Sequence, residues 1–204
     1  MAGRFSKEQL KNKLQRSTFS LVASGGIESV TVRKVANGCG LSDPYIYQCY
    51  SDMMDLMTDA FLRIDKEIAS LIAPVIKKQS QTEETGIEGS CWLLWNVYWS
   101  FLMDDAEKTV FYWRYYQSGY YTKELLLERQ KNFAVFIDFI QSEGAQLGFY
   151  DITVLDSVVS MIIDDSVSAA VKIHLGYMPR SAVSAEDIYR SVFSLLFHKL
   201  GLNI

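Results

Sequence analysis

Proline, cysteine and histidine are all scarce in this chain, with three, three and two copies in 204 residues. Two histidines, His174 and His198, far apart and away from any cysteine pair, exclude the familiar zinc-site spacings and read as structural helix residues. Cys39, Cys49 and Cys91 are odd in number and irregular in spacing, which suggests free thiols in a reducing cytoplasm and not a disulfide framework. With three prolines and twelve glycines the chain has little punctuation, so long helices are expected over many short strands. No apolar run is long enough to span a bilayer, and no signal-peptide core follows Arg4. A cytoplasmic protein with no membrane partner is therefore expected. A nucleophile–base pair, a metal-ligand set and a phosphate-binding loop are all missing, so neither an enzyme nor a bound cofactor is expected.

What is present is apolar and unevenly charged. Hydrophobic residues make up 49% and charged residues 22%, enough to bury a sizeable core and too apolar for a disordered chain. The net charge is −4, but its distribution matters more. Through residue 50 there are seven Lys/Arg against three Asp/Glu, a net of +4, and from residue 51 thirteen against twenty-one, a net of −8. A basic head on an acidic body is compatible with nucleic-acid binding by the head.

Apolar residues recur at three- and four-residue steps along almost the whole chain. Leu10, Leu14, Leu21 and Val22 define a first helix over 6–24, ended by Gly25-Gly26. Thr31 is a plausible N-cap for a second helix to about Asn37, and a third runs over 43–50. Asp52, with Asp55 three residues on, is expected to cap a fourth helix that carries Leu56, Phe61, Ile64, Ile68, Leu71 and Ile72 and stops at Pro74. A polar linker, 77–84, follows. Helical spacing resumes over 91–103 and 110–121, then over 122–146, over 151–175 with Asp151 as cap, and over 185–200. There is no period-two strand signal and no internal repeat, so the fold class is all-α.

Residues 31–50, TVRKVANGCGLSDPYIYQCY, are the most informative stretch. Gly40 suits the left-handed position that ends a helix, Ser42 is placed to cap the next one, and Pro44 falls in its first turn. Two helices closed this tightly form the reading head of helix-turn-helix proteins.

Gly26, Thr31, Val35-Ala36, Gly40-Leu41-Ser42, Tyr47, Tyr50 and Leu56, in that joint spacing over about residues 7–62, resemble the TetR family of bacterial transcriptional regulators. The resemblance implies a three-helix DNA-binding head over 1–51 and a helical ligand-binding and dimerisation domain over 52–204. It implies a homodimer whose heads grip a palindromic double-stranded DNA operator, and a small-molecule effector that changes the spacing of the heads. It carries DNA contact onto Thr31, Arg33 and Lys34 at the start of the second helix, and onto Ser42, Asp43, Pro44, Tyr45, Tyr47 and Gln48 around the third. Gln48 is suited to adenine, Tyr45 to a thymine methyl and Tyr47 to phosphate, while Tyr50 is assigned to packing. One departure stands out. Met53 replaces the lysine with which the family usually grips phosphate near the start of the fourth helix, and Asp52 and Asp55 flank it. Weaker or less salt-sensitive DNA binding is expected.

The second half is rich in aromatic residues. Trp92, Trp95, Tyr98 and Trp99 share helical spacing, as do Phe111, Tyr112, Tyr115 and Tyr116. Such stripes are often core, but many indoles and phenols are hard to satisfy in a dry interior, which favours an aromatic-lined pocket for an aromatic or hydrophobic effector. Arg114 or Lys108 could orient an anion there, and Asp104 or Asp105 a cation. Asp164, beside Asp165 in an apolar helix, is a candidate ligand-orienting carboxylate, with a cross-dimer contact and a solvated face as alternatives. Neither aspartate pair completes a DDxxD pattern, since Lys108 and Ser168 stand in the closing positions. On the last two helices, Val158, Ile162, Ala169, Ile188, Val192, Phe193 and Leu196 give a broad apolar surface, which the resemblance assigns to dimerisation. The leading expectation is a ligand-responsive regulator, with repression the favoured mode. The alternative is a helical small-molecule carrier or a protein-interaction module that has lost DNA binding.

Overall fold

The computed structural model describes residues 5–79, 86–148 and 151–201. Among them are ten α-helices and no strand. They are α1 (Lys7–Gly25), α2 (Val32–Gly38), α3 (Pro44–Tyr47), α4 (Met53–Gln79), α5 (Ile87–Asp104), α6 (Ala106–Tyr116), α7 (Lys123–Asn132), α8 (Ala134–Gln146), α9 (Ile152–His174) and α10 (Ala185–Lys199), with a 3-10 turn at Ile27–Ser29. Part of the expected linker over 77–84 lies outside the described residues. The chain forms two compact units. One takes in Met1–Asp65 and Asp105–Leu127, the other Lys66–Asp104 and Glu128–Ile204. The division differs from the expected boundary after residue 51, because the start of α4 and all of α6 belong with the head.

In the first unit, α1 starts at a full capping box. Ser6 Oγ accepts from the Gln9 N–H at 3.2 Å while the Gln9 side chain accepts from the Ser6 N–H at 2.9 Å. One face of α1 buries Leu10 and Leu14 with Val35, Ala36, Ile46, Tyr50 and Leu56, the core of the three-helix head. Further along, Phe19 and Val22 are buried where α1 packs on α6, with Phe19 and Phe111 ring centroids 4.8 Å apart. Arg16 pairs with Asp105 at the start of α6, and Arg114 near its end donates to the Val22 and Ala23 carbonyls in the last turn of α1. Asp105 also caps α6 by accepting from the Lys108 N–H at 3.1 Å. Burial alone would raise its carboxyl pKa, but the Lys108 N–H and the Arg16 guanidinium outweigh that and hold it below the usual aspartate range. Tyr112 donates to Asp65 at 2.7 Å, and Phe61 stacks on Tyr112 at 4.9 Å.

In the second unit, α5, α9 and α10 pack together, with α8 against α9. Asp151 and Ser184 cap α9 and α10, and Ser184 and Asp187 form a second capping box.

The third helix, expected over 43–50, is limited to Pro44–Tyr47, with residues 48–49 in a turn, and three further elements differ from expectation. α4 does not stop at Pro74 but runs on to Gln79. Pro74 is exposed, and burying Ile72 and Ile76 on the opposite side offsets the hydrogen bond that the ring removes. The single helix expected over 122–146 is two, α7 and α8, because Phe133 leaves helical geometry at φ −100°, ψ 13°. The helix expected over 110–121 lies earlier, as α6, and the Ser118 hydroxyl closes the chain back on the Tyr115 carbonyl at 2.6 Å.

Phe111 has no exposed surface and touches Phe19 and Tyr115. Replacing it with alanine should destabilise the first unit by about 3–5 kcal/mol, the usual range for a buried phenylalanine. Urea unfolding followed by circular dichroism checks this. A loss under about 1 kcal/mol would show that α6 is not core to that unit.

Candidate nucleic-acid interface and ligand cleft

The turn between α2 and α3 is built by backbone chemistry. Gly40 sits at φ 68°, the Leu41 N–H bonds the Ala36 carbonyl at 2.9 Å, and the Gly40 N–H bonds Asn37 at 2.9 Å, a Schellman closure. Gly38 lets α2 approach α1, since a Cβ there would lie 2.3 Å from Ser17 Oγ. Thr31 caps α2, accepting from the Lys34 N–H at 3.3 Å. Ser42 was expected to cap α3, but no side chain caps it. Asp43 is already helical, and the Tyr45 and Ile46 N–H groups bond the Ser42 and Asp43 carbonyls instead.

Ile46 and Tyr50 turn inward. The Tyr50 hydroxyl donates to Asp59 Oδ2 at 2.9 Å and accepts from Gln15 Nε2 at 3.1 Å, and burial followed by the Asp59 carboxylate pushes its pKa up. Outward face Thr31, Arg33, Lys34, Ser42, Pro44, Tyr45, Tyr47 and Gln48, with Asp43 half-buried. Tyr47 is 59% exposed, which for a large ring on a short helix leaves it free to meet a partner. Lys34 Nζ donates to the Ser29 carbonyl at 3.1 Å, whereas Arg33 makes no hydrogen bond or ion pair among the described residues. The start of α4 is acidic for a structural reason. Asp52 accepts from the Asp55 N–H at 2.8 Å, and the Asp55 carboxylate accepts from the Ser51 N–H at 2.9 Å. Met53 between them is half-buried against the head core.

The two aromatic sets lie in different units. Phe111, Tyr112, Tyr115 and Tyr116 are on α6 in the first, where the first three are buried, Tyr115 is hydrogen-bonded to Thr58 at 2.8 Å, and Tyr116 meets Tyr121 edge-on. Trp92, Trp95, Tyr98 and Trp99 are on α5 in the second. There Trp95 stacks on Trp99 at 5.2 Å and donates its indole N–H to Ser166 Oγ at 2.9 Å. Tyr189 meets Trp92 edge-on at 4.9 Å and donates to the Glu88 carbonyl at 3.1 Å. Of the proposed orienting groups, Arg114 and Asp105 are bonded within the first unit.

Next to this stack, an open cleft of about 450 Å³ lies between the ends of α5 and α9 and the loop before α10. It is lined by Trp99, Met103, Asp104, Ile173, Arg180 and Val183, among others. Arg180 and Val183 were not expected at a site. The only trace in the sequence is an arginine after proline in the short polar loop before 185. Asp164 is half-buried on α9. Burial raises its carboxyl pKa, Arg129 pulls it down and Asp165 pushes it up, for a net rise. Of the seven residues expected at a dimer interface, Val158, Ile162, Ile188, Phe193 and Leu196 are buried within the protomer, and Ala169 and Val192 keep partial exposure. Among the described residues no group of three or more His, Cys, Asp or Glu could hold a metal, and no helix is long and apolar enough to cross a membrane.

Comparison with solved structures places this arrangement. A TetR-family transcription regulator from Marinobacter aquaeolei VT8 superposes with a TM-score of 0.73 at 15% identity, covering 93% of this chain and 94% of that one. A TetR-like transcriptional regulator from Rhodococcus sp. RHA1 gives 0.68 at 10% identity, covering 97% and 99%. The regulator FadR from Bacillus subtilis, solved in complex with stearoyl-CoA, gives 0.63 at 16% identity, covering 91% and 96%. No family model matches the sequence, and no curated protein matches it. The fold is that of the TetR-type transcription regulators, over nearly the full length.

Because the Asp164 pKa is raised in the folded state, ionising it opposes folding. The penalty is absent below the ordinary aspartate range, near pH 3.9, and grows as pH rises through the raised value. Asp164→Asn should therefore raise the Tm at pH 7 by about 1–2 °C, the scale of a sub-kcal/mol change in a chain of this size. The gain should fade near pH 3.5. Thermal melts at the two pH values check this, and an equal shift at both would remove titration as its cause.

Proposed function

We propose that the protein is a cytoplasmic, ligand-responsive regulator of transcription, a repressor that holds a two-fold symmetric operator as a homodimer and releases it when a small molecule binds the second unit. The observation that carries this reading is the outward face of α2 and α3. An unpaired arginine, two exposed tyrosines and a glutamine project from a turn rigidified by a Schellman closure and by Gly38 against Ser17. Arg33 and Tyr47 suit phosphate oxygens, and Gln48 can pair bidentately with adenine in the major groove. The shared fold adds support, and the FadR complex is a case in which a regulator of this fold carries an acyl-CoA.

In this reading two copies pair through the surface of α9 and α10 that the protomer leaves open. Met161 and Leu195 are the exposed apolar residues there, joined by the half-exposed Ala169 and Val192. Pairing sets the separation of the two reading heads, which must match half-sites about one helical turn apart. An effector acts by binding one conformer of the second unit more tightly than the other. The chain crosses between units after Asp65 in α4, after Asp104 between α5 and α6, and after Leu127 in α7. α6 travels with the head, so strain at the α5–α6 junction reaches α1 through the Arg16–Asp105 pair. The acidic start of α4 favours a second reading, a helical carrier that no longer binds DNA.

Gel-shift titration with DNA flanking the protein's own gene separates the two readings. A specific shift is expected, and its absence from every fragment of that DNA at low salt would leave the carrier. Tyr47→Phe should weaken binding about 5-fold, the worth of one phosphate hydrogen bond of roughly 1 kcal/mol. Met53→Lys should tighten binding and steepen the dependence of log K on log salt by about one unit. Unchanged affinity and slope would show that α4 does not approach the backbone.

A further inference from the structure

We infer that the cleft between the ends of α5 and α9 is a binding site for a small zwitterion with an apolar body, of the α-amino-acid type. The inference rests on the regulator reading for its consequence but not for the binding itself. The cleft volume, about 450 Å³, falls in the range of small-molecule sites. Its walls divide by chemistry. Trp99, Met103, Ile173 and Val183 are apolar, and Trp99 is held in place by stacking on Trp95. Two charges of opposite sign, Asp104 and Arg180, line the same space. Neither is bonded or ion-paired to the other or to any group among the described residues.

That pattern selects the occupant. A neutral apolar molecule would give neither charge a partner. A simple anion would meet Arg180 but be repelled by Asp104, and a simple cation the reverse. A molecule carrying both an ammonium and a carboxylate satisfies both walls while its side chain covers the indole and the Met103 thioether. At the start of α10 the Ser184 hydroxyl and N–H are engaged by Asp187, so Ser184 is not available to a ligand carboxylate. The loop from 176 to 184 is anchored by the Tyr177 and Met178 N–H groups bonding the Lys172 carbonyl at 2.8 and 3.0 Å, so Arg180 is presented from a fixed base. On the other wall, His174 Nε2 lies 2.8 Å from the Leu102 carbonyl, tying the end of α9 to the end of α5. Asp104 is also the last residue of α5, and the next residue, Asp105, caps α6 and pairs with Arg16. A ligand ammonium on Asp104 therefore acts one peptide bond from the head's own ion pair.

The test uses the full-length protein with 13C-methyl methionine, reading the Met103 methyl resonance. L-phenylalanine, L-leucine and L-tryptophan are the zwitterionic probes, and 3-phenylpropionate and phenethylamine carry one charge each. At least one amino acid should saturate the Met103 shift, with the single-charge analogues at least 10-fold weaker. Arg180→Ala and Asp104→Asn, both at exposed positions, should each weaken binding about 10-fold while leaving the Tm unchanged. No saturable shift with any amino acid, or equal binding by phenylpropionate or phenethylamine, would overturn the inference. Gel shifts in parallel distinguish the two claims. DNA binding with an unresponsive cleft sinks this site alone, and a responsive cleft without DNA binding sinks the regulator reading alone.

Discussion

The first unit depends on α1 being buried on two sides. Leu10 and Leu14 belong to the core shared with α2, α3 and the start of α4, while Phe19 and Val22 belong to the contact with α6. A helix used this way has few solvent-facing positions left in its second half, and its buried polar groups must be satisfied internally. They are. Thr18 bonds back to the Leu14 carbonyl at 2.9 Å, Ser17 reaches the Val35 carbonyl at 2.9 Å, and Gln15 joins Tyr50 and Asp59. The Cys39 thiol donates to the Lys13 carbonyl at 3.1 Å. The reading turn therefore hangs on α1 through Ser17, Cys39 and Gly38. A disturbance of α1, from either of its two sides, is felt at α2.

The aromatic residues show how helical backbones and hydroxyls absorb polar ring atoms. An abundance of indoles and phenols argues for a wet pocket only if partners are short. Here several of them are supplied within the helices, although the buried Tyr121 hydroxyl has no hydrogen-bond partner among the described residues. Ser166 donates to the Ile162 carbonyl at 2.6 Å and still accepts the Trp95 indole N–H. Tyr189 uses the Glu88 carbonyl in the first turn of α5, and Tyr112 uses a carboxylate with no exposed surface, Asp65. Ser166, buried on α9, bonds a packed aromatic neighbour, whereas Ser157 on the same helix is exposed and bonds the Thr153 carbonyl instead. In the sequence such a serine looks like any solvated position.

What was legible in the sequence was local chemistry. The Thr31 and Asp151 caps, the positive-φ glycine at 40 and the inward face of Tyr50 follow from residue type and short-range spacing. The TetR-type fold followed from the joint spacing around the turn. What was not legible needed tertiary partners. Pro74 stays inside α4 because Ile72 and Ile76 are buried on either side of it, and the break at Phe133 interrupts an unbroken helical period. The assignment of α6 to the head rests on its contacts with Phe19, Arg16 and the Val22 and Ala23 carbonyls of α1, some ninety residues away in sequence. The apolar stripes of α9 and α10 read as surplus surface. In the fold, Val158, Ile188 and Phe193 are consumed within the protomer.

Charge in the head follows the same logic of internal use. Lys11 pairs with Asp59 at 3.0 Å, Arg16 with Asp105, and Lys34 with a backbone carbonyl, so much of the +4 excess read from the sequence is already engaged. At the start of α4, Asp52 and Asp55 are favourable for the helix, since carboxylates complement the positive end of its dipole and occupy its open N–H groups. The same two carboxylates repel a phosphate that approaches that end. Helix stability and phosphate attraction therefore compete for one turn of chain, and the capping bonds at 2.8 and 2.9 Å show which has prevailed. Beside these engaged charges, the side chains of Arg33, Tyr45, Tyr47 and Gln48 remain exposed on the face of α2 and α3. The position of that face is set by geometry before charge, through the close seating of Gly38 against Ser17 and the Ser17 hydrogen bond to the Val35 carbonyl.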